Sequence, residues 1–113
     1  MSSKAFCGSI LSMARMRTRT TIRDVAAALD ALAPPALAQP WDNVGLLGAA
    51  ATCRRVLMCV DLTPAVLEEA VKSACELVVA YHPPIFKPVR RLVAERGEAG
   101  ALVYRAVAAG LAI

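Results

Sequence analysis

His82 is the only histidine in the sequence. It stands at the end of Leu77-Val78-Val79-Ala80-Tyr81, a run of strand-forming residues, and Pro83 and Pro84 hold the chain extended behind it. An imidazole offers a lone pair to a metal or a proton near neutral pH. A strand that delivers one to its own end, with the next backbone pre-set, is a common way to build a site. A buried histidine beside a stiff turn is the plainer reading of the same residues. The other polar candidates are two carboxylates and an amide. Asp61 follows the apolar run Val56-Leu57-Met58-Cys59-Val60, and Asp42-Asn43 follows the single tryptophan, Trp41. Asp-Asn is ordinarily turn chemistry, since both side chains bond nearby backbone. The functional alternative is a polar pocket beneath the indole, lined by Asp42 or Asn43.

Local signals define the elements that must position these groups. Thr21 is an N-cap with Asp24 three residues on, and Ile22, Val25, Ala26, Leu29 and Leu32 recur at helical spacing to make one apolar face. Pro34-Pro35 ends that helix. A connector runs to Pro40, and a short strand is expected from Val44. Gly48 to Arg55 reads as a loop. Val56 to Val60 is a continuous apolar run of strand length, the pattern of a strand buried on both faces. It leads into Asp61-Leu62-Thr63-Pro64, where Thr63 caps a helix and Pro64 occupies its first position. That helix is expected to reach Ala74, with Val66, Leu67, Ala70, Val71 and Ala74 toward the sheet. Leu77 to Ala80 is the next strand.

Strand, helix and strand in this order make a right-handed βαβ unit with parallel strands. Both strands then finish at one edge of the sheet, with Asp61 and His82 just past their C-terminal ends. Open α/β sheets bind ligands at that edge. This placement, more than residue type, favours His82 as part of a site. Pro83, Pro84 and Pro88 keep the following stretch extended, and Lys87, Arg90 and Arg91 make it basic. A last helix is expected between Gly97 and Ala109, with Ala101, Leu102, Arg105 and Ala109 at helical spacing and Gly110 as its cap. Leu111-Ala112-Ile113 reads as the start of another buried parallel strand, so the chain is expected to be the N-terminal part of a longer α/β protein.

The net charge of +4 over 113 residues is unevenly placed. Residues 1–23 carry Lys4, Arg15, Arg17, Arg19 and Arg23 without an acid, while the body from Asp24 onward is nearly neutral. Residues 1–20 therefore read as a leader, either disordered or a transit peptide, and 21–113 as the folded unit. The expected compartment is the cytoplasm or the mitochondrion, with the nucleus as a further alternative. A nearly neutral body without a recognition-helix or base-stacking pattern argues against direct nucleic-acid binding. No window of about 18 uncharged apolar residues exists, as a membrane span would require. Cys7, Cys53, Cys59 and Cys75 form no C-x-x-C pair, so reduced thiols are expected rather than a zinc ribbon or redox motif.

Three stretches in order carry a family resemblance: Trp41-Asp42-Asn43-Val44-Gly45-Leu46, then Asp61-Leu62-Thr63-Pro64 with Val66-Leu67-Glu68-Glu69-Ala70, then Tyr81-His82-Pro83-Pro84-Ile85-Phe86-Lys87-Pro88. They resemble the NIF-three-like family, whose bacterial members are often labelled GTP cyclohydrolase I type 2 homologs. The resemblance covers roughly residues 22–113 and implies an α/β fold of two related lobes, of which this chain carries the first in truncated form. It further implies a homo-oligomer, a toroidal hexamer in relatives, around centres of two divalent metals (zinc, manganese or iron). His82 falls on one metal ligand. The adjacent histidine of bacterial members falls on Tyr81, and a phenol is a poorer ligand than imidazole. The other family ligands lie outside this sequence, so the isolated chain is expected to bind metal weakly or not at all.

Three functions follow. In the first, a longer form is a metal-dependent, hydrolase-like protein with His82 as ligand and Asp42, Asn43, Asp61 and Tyr81 in the pocket or behind the ligand, the catalytic residues being undetermined. The second is a protein-interaction partner of transcriptional regulators, with Trp41 and the Lys87–Arg91 stretch as contact surface. In the third, the chain is a truncated product without function, whose unpaired sheet edges invite aggregation.

Overall fold

In a computed structural model of the chain, residues 19–48, 51–98 and 100–113 are described, together with the backbone of Phe6–Ser9. The leader reading of residues 1–20 falls mostly outside the described residues. Within it, Phe6–Ser9 forms strand β1, for which the sequence carries no clear signal. Helix α1 spans Ile22–Leu32, β2 Arg55–Cys59, α2 Pro64–Lys72, β3 Leu77–Ala80 and α3 Ala101–Ala108. A short 3₁₀ turn covers Pro35–Leu37. The sheet order is β1-β2-β3. β1 runs antiparallel to β2, and β2 is parallel to β3 with Val56 opposite Leu77 and Cys59 opposite Ala80.

The parallel βαβ unit forms as the sequence implies, and Leu111-Ala112-Ile113 continues the sheet. Ala112 bridges Leu77 in parallel. The Val78 N–H donates to the Ala112 carbonyl at 2.9 Å, and the Ala112 N–H to the Glu76 carbonyl at 3.0 Å. The expected strand from Val44 does not form. Among the described residues Leu47 alone pairs there, exchanging backbone hydrogen bonds of 2.7 and 2.8 Å with Ile113. Gly48 next to it sits at φ +105°, where a Cβ would stand 3.2 Å from the Ala112 Cα. The glycine lets these two backbones approach.

Side chains alternate across the pleat and give the sheet two covered faces. Leu57, Val78, Leu111 and Ile113 pack with Leu62, Val66, Leu67 and Ala70 of the α2 region and with Val103 and Ala106 of α3. Val56, Leu77 and Ala112 face the other way, onto Ile22 and Cys53. The result is a helix–sheet–helix sandwich, with α1 alone on one side among the described residues.

Caps explain the helix boundaries. The Thr21 hydroxyl accepts from the Asp24 N–H at 3.2 Å, while the Asp24 carboxylate accepts from the Thr21 N–H at 2.7 Å, a reciprocal capping box. The Thr21 N–H, and secondarily the Thr21 hydroxyl, which donates to the same carboxylate at 2.7 Å, hold the Asp24 carboxyl below its ordinary value. Thr63 caps α2 through the Val66 N–H at 3.2 Å. Both α2 and α3 end in a Schellman turn. At α3, Gly110 sits at φ +77° while the Gly110 and Leu111 N–H groups donate to Val107 and Ala106. At α2 the same left-handed position is taken by Ala74, at φ +52°.

That turn corrects the sequence reading of α2. The helix stops at Lys72, and Ala74 and Val71 are exposed instead of facing the sheet. In α3 the buried residues are Ala101, Val103 and Ala106, whereas Ala109 is exposed. In β2 Val56 and Leu57 are buried, whereas Met58 is 52 % exposed, so the run is not covered on both faces along its length. Leu32, expected on the packed face of α1, is 83 % exposed.

Candidate functional site

The ladder between β2 and β3 extends past the strands. The Tyr81 N–H donates to the Cys59 carbonyl at 3.0 Å and the His82 N–H to the Val60 carbonyl at 2.9 Å. This register sets the residues that follow the two strands side by side. His82 Nδ1 thereby lies 2.7 Å from Asp61 Oδ1. Both side chains are 57 % exposed, so the pair sits at the mouth of the edge and not in the core. The expectation of a histidine at the C-terminal edge of parallel strands is met, and Asp61 is its direct partner. Burial, and secondarily the Asp61 charge, push the Cys59 thiol up from its ordinary value, which disfavours the thiolate beside the pair.

Tyr81 stands next to the pair. Its ring centroid is 5.2 Å from that of His82, at 58°, and the residue is 81 % exposed. Tyr81 and His82 both border the open cleft beside α1, so the phenol stands at the same mouth as the imidazole.

Asp42 and Asn43 separate into two roles. The Asp42 carboxylate accepts from the Asn43 N–H at 2.8 Å, ordinary turn chemistry. The Asn43 amide reaches across and donates to the Ile85 carbonyl. Trp41 meets Phe86 with ring centroids 6.1 Å apart at 59°. The 41–43 segment is thus docked on the segment behind His82. Phe86 and the Ile85 carbonyl escape a sequence reading as site groups, because no local pattern announces a contact made between positions 43 and 85. Between α1 and the sheet edge lies an open cleft of about 1180 Å³, bordered by Leu29, Trp41, Val44, Val79, His82 and Phe86 among others.

A catalytic metal centre takes about three protein ligands. Among the described residues no three His, Cys, Asp or Glu side chains gather closely enough to hold an ion. These residues alone do not fit a complete centre. What they offer is one imidazole nitrogen, Nε2 of His82, backed by a carboxylate on Nδ1.

The fold and this edge define a small α/β domain whose polar groups collect where parallel strands end. The Duf34/NIF3 (NGG1p interacting factor 3) family model matches residues 20–113, and the chain belongs to that family. It is 43 % identical over 67 residues to NIF3-like protein 1 of Drosophila melanogaster, covering 57 % of this chain and 23 % of that protein. It is 36 % identical over 91 residues to NGG1-interacting factor 3 of Saccharomyces cerevisiae, covering 71 % and 32 % respectively. A crystal structure of a Staphylococcus aureus protein superposes with a TM-score of 0.77 at 31 % identity, over 83 % of this chain and 27 % of that one. The chain therefore spans about a quarter to a third of the length of these relatives. Among the described residues no helix is long and apolar enough to cross a membrane.

Proposed function

We propose that this chain supplies one corner of a divalent-metal site, with His82 Nε2 as the ligand and the remaining donors coming from outside the described residues. The observation that carries this reading is the 2.7 Å contact between His82 Nδ1 and Asp61 Oδ1 at the C-terminal edge of two parallel strands. A metal-ligating histidine nearly always has its second nitrogen held by a carboxylate, carbonyl or water. The cleft beside His82 would admit the rest of the site and its substrate. In a longer protein the class of activity is hydrolase-like chemistry related to the GTP cyclohydrolase I type 2 homologs. This chain alone, with one ligand, is inactive.

Zinc or manganese titration of the isolated chain tests the proposal. The expected result is weak binding that perturbs the ¹⁵N resonance of His82 Nε2 and disappears in His82→Ala. Tight stoichiometric binding would overturn the incomplete-site part, and unperturbed His82 resonances would overturn His82 as ligand.

A second reading, partner binding without catalysis, is favoured by the exposed aromatics Tyr81, Trp41 and Phe86 around the same cleft. The name of the yeast relative, NGG1-interacting factor 3, describes that protein as an interaction partner. In this reading the partner is a transcriptional regulator, and Lys87, Arg90 and Arg91 add a basic margin. Function that survives His82→Ala but is lost on reversing those three charges selects the partner reading. The opposite pattern selects the metal reading.

A further inference from the structure

Two facts of the sheet edge bear on which nitrogen of His82 faces the cleft. The first is backbone register. The His82 N–H is anchored on the Val60 carbonyl at 2.9 Å, so the Cα of His82 cannot slide relative to Asp61, the residue that follows Val60. The second is the chemistry of the contact. Nδ1 stands 2.7 Å from Asp61 Oδ1, and a carboxylate can only accept. A neutral imidazole carries one proton, which can sit on either nitrogen. A contact this short to a carboxylate requires it on Nδ1, because a lone pair facing a carboxylate oxygen would be repelled.

We infer that Asp61 is a positioning residue that holds neutral His82 in the Nδ1–H tautomer and leaves the Nε2 lone pair for whatever enters the cleft. Free imidazole side chains favour the other tautomer, with the proton on Nε2, so the carboxylate reverses the intrinsic preference. The Tyr81 ring, 5.2 Å from the imidazole centroid to centroid, lies beside it as an aromatic neighbour. The inference deepens the reading of His82 as a donor of an electron pair, but it concerns the metal-free ring, and its test stands apart from metal binding.

The test uses the whole chain without metal, ¹⁵N-labelled at histidine, at a pH where the ring is neutral. Because His82 is the only histidine, a long-range ¹H–¹⁵N correlation spectrum shows a single ring, and its two nitrogen shifts report the tautomer directly. The expected spectrum has the pyrrole-like shift on Nδ1 and the pyridine-like shift on Nε2. In Asp61→Ala the two shifts exchange places, whereas Asp61→Asn, whose amide oxygen still accepts, keeps most of the Nδ1–H form. Asp61 is exposed, so its truncation leaves the packed faces intact, and dispersed amide resonances verify this. A wild-type ring already in the Nε2–H form, or an Asp61→Ala ring that stays in the Nδ1–H form, would overturn the inference. The wild-type spectrum decides the tautomer, and the Asp61→Ala spectrum decides whether Asp61 sets it. Should zinc then fail to perturb Nε2 while the Nδ1–H tautomer is present, the metal reading falls and the positioning role stands.

Discussion

The two faces of the sheet are built to different standards. On the α2–α3 side, Leu57 and Val78 are fully enclosed, and Val66, Leu67 and Ala70 close over them. On the other side α1 contributes one buried residue, Ile22, while Leu29 borders the cleft and Leu32 faces solvent. Both helices on the closed side and the one on the open side have comparable apolar stripes in sequence. The difference lies in how each helix is tied to the sheet. α2 is covalently strung between adjacent parallel strands, and the right-handed crossover lays it flat on them. α1 is pinned at its N-terminal end, where the Ile22 N–H donates to the Ala51 carbonyl and the Cys53 N–H to the Thr20 carbonyl, each at 2.8 Å. The closed face stabilises the domain. The open one leaves a cleft beside His82.

Substitutions on the two faces should therefore diverge. Leu67→Ala on the closed face is expected to lower stability by about 2–5 kcal/mol, the range for deleting a buried leucine side chain. Leu32→Ala on the open face should change it by less than about 0.5 kcal/mol. Urea denaturation of both variants checks the contrast, and equal losses would mean that α1 is packed as tightly as α2.

Next in size is the tie at the start of the strands. One Glu76 carboxylate oxygen accepts from the N–H groups of Arg54 at 3.0 Å and Arg55 at 2.8 Å, pinning the entry of β2 to that of β3. Glu76→Ala is expected to cost about 1–2 kcal/mol, since hydrogen bonds to a charged group exceed neutral ones. Burial, and secondarily the same carboxylate, raises the Cys53 thiol above its ordinary value. In Glu76→Gln that thiol should become easier to ionise, which a thiol-labelling rate measured against pH would show as an earlier rise.

A smaller effect is expected at the α1 cap. Thr21→Ala removes the hydroxyl that accepts from the Asp24 N–H and should cost about 1 kcal/mol. The folded-state value of Asp24 lies below the unfolded one, so its contribution is present above the ordinary value of 3.8 and is lost as pH falls through the lower folded value. The acid limb of the melting temperature should accordingly be shallower in Asp24→Asn than in wild type. The last change runs the other way. Ala74→Gly relieves a left-handed alanine at φ +52° and should raise stability by up to about 1 kcal/mol, readable as a small increase in denaturation midpoint.

Much of this molecule is legible from local chemistry. Thr21 with Asp24, Thr63 with Pro64, and Gly110 mark helix ends because each meets a backbone need within a few residues. The βαβ order places Asp61 and His82 at one edge because strands joined by a helical crossover run parallel and so finish at the same end of the sheet. Where local signals are absent, a sequence reading fails. Val44 looks like the start of a strand, but its segment is held by Asn43 on the Ile85 carbonyl and by Trp41 on Phe86, partners more than forty residues away.

Caps, prolines and apolar runs act over short distances, so the residues alone settle most of the elements, their order and the position of the one histidine. The rest waited on the fold. Strand register pairs Nδ1 of His82 with Asp61, the Tyr81 ring comes to lie beside the imidazole, and α1 is left half-docked over an open cleft. Each of these depends on which backbone groups meet across the sheet, and such meetings have no signature in neighbouring residues.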